Sequence, residues 1–432
     1  MSKHAAILAL LIGAWASATS VAAFAQSGTL DPTFGVGGRV SVLKNQIVPP
    51  GDGSPGTANA ALQADGRIVV AVSFDTFGVV RFLPNGQLDP SFGTAGVVRD
   101  PGRSPNFNRA PQDLAIQSDG KIVVVGSAES IDAEHNFVAL ARFTPDGSLD
   151  ATFGAGGNVH TPARQLSADT ANVVLLQPDG KIVIGGTSVE QTEHPLPPRA
   201  ILQRYNPNGS LDASFGQGGK IVFSLPNGDI TALALQTDGK ILTNIGKPFV
   251  RVLPNGTIDP SHTPGTIAST AHTGPGALQP DAGGSGAFQP DGRYVMTNTV
   301  VDSGDAPPTF TDEQTVRFTG NGALDPSFAR PILELNQSYP AGNGIALQAD
   351  GKVLVGGVGV TPSNYSEFSL VRLNTNGSLD QGFGRSGRVN TAFNSKDTMG
   401  VVPLSLLVQP NGRIVAVGVS LYEALVLARY LP

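Results

Sequence analysis

The chain has 432 residues, no cysteine, 14% charged residues and a formal net charge of −6. Without cysteine there is no disulfide framework, thiolate metal site or thiol nucleophile, and the scattered charges form neither the basic stripe of a nucleic-acid binder nor a polybasic or amphipathic segment for a membrane surface. Its 54 glycines and 33 prolines call for many turns without reaching the level of low-complexity sequence.

The first 25 residues read as an export signal. Lys3 and His4 give a short polar or basic start, residues 5–16 are apolar, and Ala23-Phe24-Ala25 before Gln26 is a small-x-small cleavage site. The apolar run is too short to span a bilayer. The expected organisation is a signal peptide at 1–25, removed on export, followed by one domain at 26–432 with no membrane insertion and a periplasmic, cell-surface or secreted destination.

From residue 30 onward two phrases alternate. One is a variant of Leu-Gln-x-Asp-Gly-Lys-Ile-Val, centred on Gln63, Gln117, Gln177, Gln236, Gln289, Gln348 and Gln409. The other, Arg-Phe-x-Pro-Asn-Gly-x-Leu-Asp-x-Ser-Phe-Gly, begins in more or less intact form at Arg81, Arg142, Arg204, Arg251, Arg317 and Arg372. Within the second unit, Asp113-Leu114-Ala115-Ile116-Gln117 alternates like a half-buried strand, Asp119-Gly120 turns the chain, and Lys121-Ile122-Val123-Val124-Val125 is a β-branched run. Asp-Gly between such runs signals a tight hairpin, because the favoured turns need positive φ. A third strand follows at residues 137–143 and a fourth near 158–160. Repeated sevenfold, this predicts an all-β, seven-bladed β-propeller of four-stranded antiparallel blades.

The ends of the chain fit a closed ring. Arg429-Tyr430-Leu431-Pro432 starts the second phrase and stops, while Leu30-Asp31-Pro32-Thr33-Phe34-Gly35 supplies its missing half near the N-terminus. Pairing these segments leaves no open sheet edge. A linear solenoid would need atypical caps instead, and an outer-membrane barrel would need longer strands and aromatic girdles. One unit departs from the pattern: Phe-Gly is lost around His262, and residues 278–283 resemble a decayed copy of the first phrase. That blade is expected to be irregular.

The paired phrases resemble the delta-60 repeat of bacterial exported and surface proteins. The resemblance covers nearly everything from residue 30 to the C-terminus. It implies a β-propeller-like fold and carries no catalytic or binding residues.

An Arg and an Asp eight residues apart recur in every unit: Arg81 with Asp89, Arg142 with Asp150, Arg204 with Asp212, Arg251 with Asp259, Arg317 with Asp325 and Arg372 with Asp380, with Arg429 and Asp31 as the seventh pair across the closure. An intervening turn can bring each carboxylate back to its arginine as a structural ion pair linking blades. The competing reading, a carboxylate ring for Ca²⁺, is weaker because calcium loops gather several acids within a dozen residues. His135, His160, His194, His262 and His272 show no zinc spacing, and no Gly-x-Ser-x-Gly elbow or phosphate loop is present. No catalytic residue, metal or cofactor is nominated.

Up-down topology puts the Asp-Gly hairpins on one face and the variable connections, residues 128–136, 188–198, 301–313 and 361–367, on the other. Glu129, Asp132, Glu134, Glu190, Glu193, Asp302, Asp305, Glu313, Tyr365 and Glu367 make that side the candidate binding face. The expected function is therefore an exported, non-catalytic scaffold whose variable loops engage a surface protein or extracellular polymer, with no nucleic-acid partner. The alternatives are a lyase or hydrolase acting at the central channel, for which no acid or base stands out, and a purely structural cell-surface module.

Overall fold

The computed structural model describes residues 26–47, 56–74, 76–100, 107–130, 136–162, 167–190, 197–226, 228–245, 249–262, 277–279, 286–302, 309–320, 323–331, 333, 335, 344–360, 366–393, 402–420 and 425–432. The proposed signal at 1–25 lies outside them. Seven antiparallel sheets form a seven-bladed β-propeller, and the one helix among the described residues is the single turn Lys44–Ile47.

The second blade shows why each repeat folds as it does. Its strands are Phe107–Ile116, Ile122–Ser130, Asn136–Phe143 and Asn158–Pro162, hydrogen-bonded in that order. Gly120 takes φ +83° in the turn between the first two, a conformation that costs glycine nothing. The alternating apolar residues bury against both neighbours. Ile122, Val124, Ala139 and Ala141 pack toward the first blade, and Val123, Val125, Val138 and Leu140 toward the third. Full burial of a Val, Ile or Leu side chain contributes about 1.5–3 kcal/mol, so the core is a set of layers between blades.

First strands of neighbouring blades lie beside one another and form the inner wall of the ring. Four of them, in blades 1, 2, 3 and 7, carry a register shift, at Thr57/Ala60, Pro111/Asp113, Ala171/Val173 and Pro403/Ser405. At two of these the adjoining strand has a glycine for steric reasons: a Cβ on Gly126 or Gly186 would stand 2.0 or 1.8 Å from the carbonyl oxygen of Ala110 or Thr170.

The N-terminal segment closes the ring. Arg39–Val42 is the outer strand of the seventh blade, antiparallel to Leu425–Tyr430, with Val40 opposite Leu427 and Ser41 opposite Val426. The Asp31 amide donates to the Arg429 carbonyl at 2.8 Å, and Leu431 to Thr29 at 2.9 Å.

The irregularity sits where the repeat decays. Blade 4 has three strands among the described residues, Leu233–Leu235, Ile241–Asn244 and Phe249–Val252. In blade 5 the inner position is divided between Ala277–Gln279 and Gly286–Phe288, which pair with opposite ends of Tyr294–Asp302. Leu278-Gln279 and Phe288-Gln289 are thus two successive attempts at one inner strand.

Candidate functional site

The Arg and Asp of each repeat meet on the hairpin face. Each arginine donates Nε to the paired carboxylate, at 2.8 Å in Arg81–Asp89, Arg142–Asp150, Arg251–Asp259, Arg317–Asp325 and Arg372–Asp380, 2.7 Å in Arg204–Asp212 and 2.9 Å in Arg429–Asp31. The Lys or Arg of the preceding Asp-Gly-Lys turn also reaches the same carboxylate, as Lys121 does at 3.2 Å from Asp150. The other carboxylate oxygen of Asp150 accepts the amide and hydroxyl of Thr152 at 3.0 and 2.6 Å. Burial pushes the Asp150 carboxyl up, but the Thr152 hydrogen bonds and the neighbouring cations more than reverse it and hold the group below the usual carboxylate range.

The guanidinium then bridges to the next blade. Arg81, Arg142, Arg204 and Arg317 donate Nη1 to the carbonyls of Pro145, Pro207, Pro254 and Thr375 at 2.5 to 2.7 Å, and Arg429 reaches Pro84. Arg372 instead donates to the Ser27 hydroxyl at 2.8 Å. Six of the arginines lie over the repeat's phenylalanine, from 4.2 Å at Phe92 to 4.7 Å at Phe34. Where His262 replaces that phenylalanine, the Arg251 side chain is 21% exposed, against 5–7% for the others. Every carboxylate in this ring is already saturated by cations and donors, and no cluster of three acidic or histidine side chains suited to a metal occurs among the described residues.

A second polar arrangement is singular. On the inner strands of blades 7, 1 and 2, the residue four before the glutamine is Ser405, Asn59 and Asp113. The Ser405 hydroxyl donates to Asn59 Oδ1, and Asn59 Nδ2 donates to Asp113 Oδ1 at 2.7 Å. Asp113 further accepts the Leu114 amide at 2.8 Å and, on Oδ2, the Val174 amide of blade 3 at 2.9 Å. Four inner strands are thereby joined. The same position in blades 3, 4 and 6 holds Val173, Ala232 and Gly344. Burial pushes the Asp113 carboxyl up to about 6, partly offset by its three donors, so at neutral pH it is a carboxylate whose donor shell matches its charge.

A further acid stands at the lead-in to the inner strand of blade 4. Asp229 is half-buried, and burial raises its carboxyl above the usual range. It lies close enough to Tyr294 that its charge helps raise that phenol, which burial chiefly pushes up. Tyr294 packs edge-on against Phe249 and at a tilt against Phe288, with ring centroids 4.7 and 4.6 Å apart. A carboxyl raised by burial is a candidate general acid. Neither Asp113 nor Asp229 was nominated from the sequence, although aligning the seven inner strands with one another singles out Asp113 as the only acid in its column.

The candidate binding face is more regular than expected. Glu129 and Glu190 end the strands Ile122–Ser130 and Ile182–Glu190, Asp302 ends Tyr294–Asp302, and Glu313 lies inside Thr309–Phe318. Paired strands thus extend into what the sequence suggested was loop. Glu129 is exposed. Glu367 is buried in Ser366–Leu373, where it accepts Asn390 Nδ2 at 2.7 Å and is unavailable to a partner. Asp132, Glu134, Glu193, Asp305 and Tyr365 lie outside the described residues.

A family model described as "Domain of unknown function (DUF5122) beta-propeller" matches residues 63–92, 117–153, 177–215 and 348–383. Each match runs from the inner-strand glutamine to the phenylalanine under the arginine. No curated protein matches the chain. Among solved structures, virginiamycin B lyase from Staphylococcus aureus is 12% identical, with a TM-score of 0.52 over 91% of this chain and 98% of that one. A streptogramin B lyase structure is 10% identical, with a TM-score of 0.51 over 91% and 97%. At such identities the likeness shows the fold, a β-propeller. It also corrects the functional expectation: both of these neighbours are lyases, so the reading of a non-catalytic binding scaffold gives way to its alternative of a lyase or hydrolase.

Proposed function

We propose that this chain is an exported propeller enzyme of the lyase or hydrolase class, acting at the mouth of the central channel on the face opposite the Asp-Gly hairpins. The observation that carries the reading is the break in sevenfold equivalence at the inner strands. Asp113 and Asp229, two acids raised by burial, occur there once each, whereas the Arg–Asp ring recurs in every blade. Residues needed for geometry repeat, and a reaction centre is singular.

Asp229 supplies the general acid, protonated more readily than an exposed carboxyl. Asp113 is a positioning residue, since its oxygens are committed to Asn59, Leu114 and Val174. The fold's known enzymes supply the first substrates to try. Purified protein, Asp229→Asn and Asp113→Asn are assayed with virginiamycin B and with polysaccharides, following bond cleavage and the appearance of unsaturated products. Turnover by the parent and a loss of at least about 100-fold in Asp229→Asn with an unchanged circular dichroism spectrum support the reading. Turnover unaffected by that change, or none on any substrate, contradicts it. The export component predicts a secreted chain whose N-terminal residue is Gln26. No helix among the described residues is long and apolar enough to cross a membrane.

A further inference from the structure

Seven equivalent atoms on the inner strands have an unmet chemical requirement. The side-chain Oε1 of Gln63, Gln117, Gln177, Gln236, Gln289, Gln348 and Gln409 is buried without a hydrogen-bond partner, one in every blade. The backbone of each glutamine is already committed. Gln117 N donates to the Lys121 carbonyl at 2.8 Å, and Gly120 N donates to the Gln117 carbonyl at 2.9 Å, closing the hairpin turn. Only the amide side chains are left over. Exchanging the amide oxygen and nitrogen does not help, because a buried donor would then replace a buried acceptor.

Magnitude decides whether seven such atoms can stay orphaned. An unsatisfied buried polar group costs roughly five- to 150-fold in the folding equilibrium. Compounded over seven blades, that matches or exceeds the whole folding constant of an ordinary domain, roughly a thousand to a hundred million. The groups must therefore be satisfied. At the seam between blades 4 and 5 the amide faces the next blade: Gln236 Nε2 lies 3.7 Å from where a Cβ on Gly292, in its Asp-Gly turn, would stand. A metal ion is a poor candidate, since a single neutral amide oxygen per blade offers neither the charge nor the number of ligands that Ca²⁺ takes. Water fits, being able to donate to the oxygen and, at Gln236, also to reach the neighbouring turn.

We propose that the propeller holds a ring of seven internal water molecules, one per blade, each donating to the amide oxygen of an inner-strand glutamine, the one at Gln236 also reaching the Asp-Gly turn of the next blade. The ring matters most at the seam between blades 4 and 5, where Arg251 is partly exposed and lacks the phenylalanine beneath it.

The test combines a crystal structure at a resolution that places solvent with two substitutions. Each glutamine amide is expected to have a solvent peak about 2.7–3.2 Å away. Gln117→Met, which removes the amide and keeps the length of the side chain, is expected to lower the folding constant about fivefold, and Gln236→Met by more. Buried amides without solvent peaks overturn the proposal, as does a Gln117→Met protein more stable than its parent, because deleting an orphan is a gain. A Gln236→Met loss no larger than that of Gln117→Met contradicts the bridging role. None of these readouts depends on catalytic activity.

Discussion

Asp150→Ala probes the link that holds blade 2 to blade 3. The substitution removes an acceptor of bonds from Arg142 Nε at 2.8 Å, Lys121 at 3.2 Å and the Thr152 amide and hydroxyl at 3.0 and 2.6 Å. The Arg142 side chain, only 5% exposed, is left as a buried cation with the Pro207 carbonyl, the Thr152 hydroxyl and the Phe153 ring as remaining partners. Removing one member of a buried, hydrogen-bonded ion pair costs about 3–5 kcal/mol. Asp259→Ala, in the irregular blade, is the internal control. Its arginine is 21% exposed and can turn to solvent once freed, so the loss should be clearly smaller. Equilibrium urea unfolding of both variants beside the parent gives the two losses. Equal losses, or a loss below about 1 kcal/mol for Asp150→Ala, would refute the claim that burial makes these pairs structural links.

Three further outcomes follow from the same geometry. Asp31, Asp89, Asp150, Asp212, Asp259, Asp325 and Asp380 all sit below the ordinary carboxylate range in the folded state, so their contribution is complete above the unfolded value near pH 4 and is lost as pH falls through the folded values. Acid titration should therefore give steep unfolding below about pH 4, and a protein equally stable at pH 3 and pH 7 would contradict this. Asp113 works in the opposite sense. With its folded value raised to about 6, its contribution is present below the unfolded value and falls by on the order of 3 kcal/mol as pH rises through 6. The stability difference between parent and Asp113→Asn should change between pH 4 and pH 7, and a constant difference would rule the shift out. Asn59→Ala deprives Asp113 of the donor at 2.7 Å and should cost about 1–3 kcal/mol while raising the Asp113 carboxyl further, observable by NMR titration.

The fold was legible because period and turn chemistry agree at every repeat. Each Asp-Gly or Asn-Gly joins two short β-branched runs, and the split second phrase requires Leu30 to meet Tyr430, as it does. The position of the irregular blade was readable from the lost Phe-Gly at His262 and the duplicated copy around Gln279. Other features were hidden for physical reasons. The lysine of Asp-Gly-Lys read as ordinary turn chemistry, yet Lys121 reaches an aspartate 29 residues downstream once the blade has folded. Glu367 read as a loop acid because its burial depends on Asn390 in the adjacent strand. Asp113 read as one polar residue of an alternating strand. Its setting exists only when blades 1 and 3 close on either side of it and supply Asn59 and the Val174 amide.

Circular closure by the chain's own N-terminal segment supports every contact described above, and it can be tested covalently. Ser41 and Val426 are directly paired, at a separation that cross-strand neighbours share with disulfide-linked residues. In Ser41→Cys/Val426→Cys the two introduced thiols are the only ones in the protein. Oxidation should give a quantitative disulfide within the monomer and, by closing a loop that contains most of the chain, a stability gain on the order of 5 kcal/mol. Thiols that remain free, or that pair only between molecules, would show that the ring is not closed in this way.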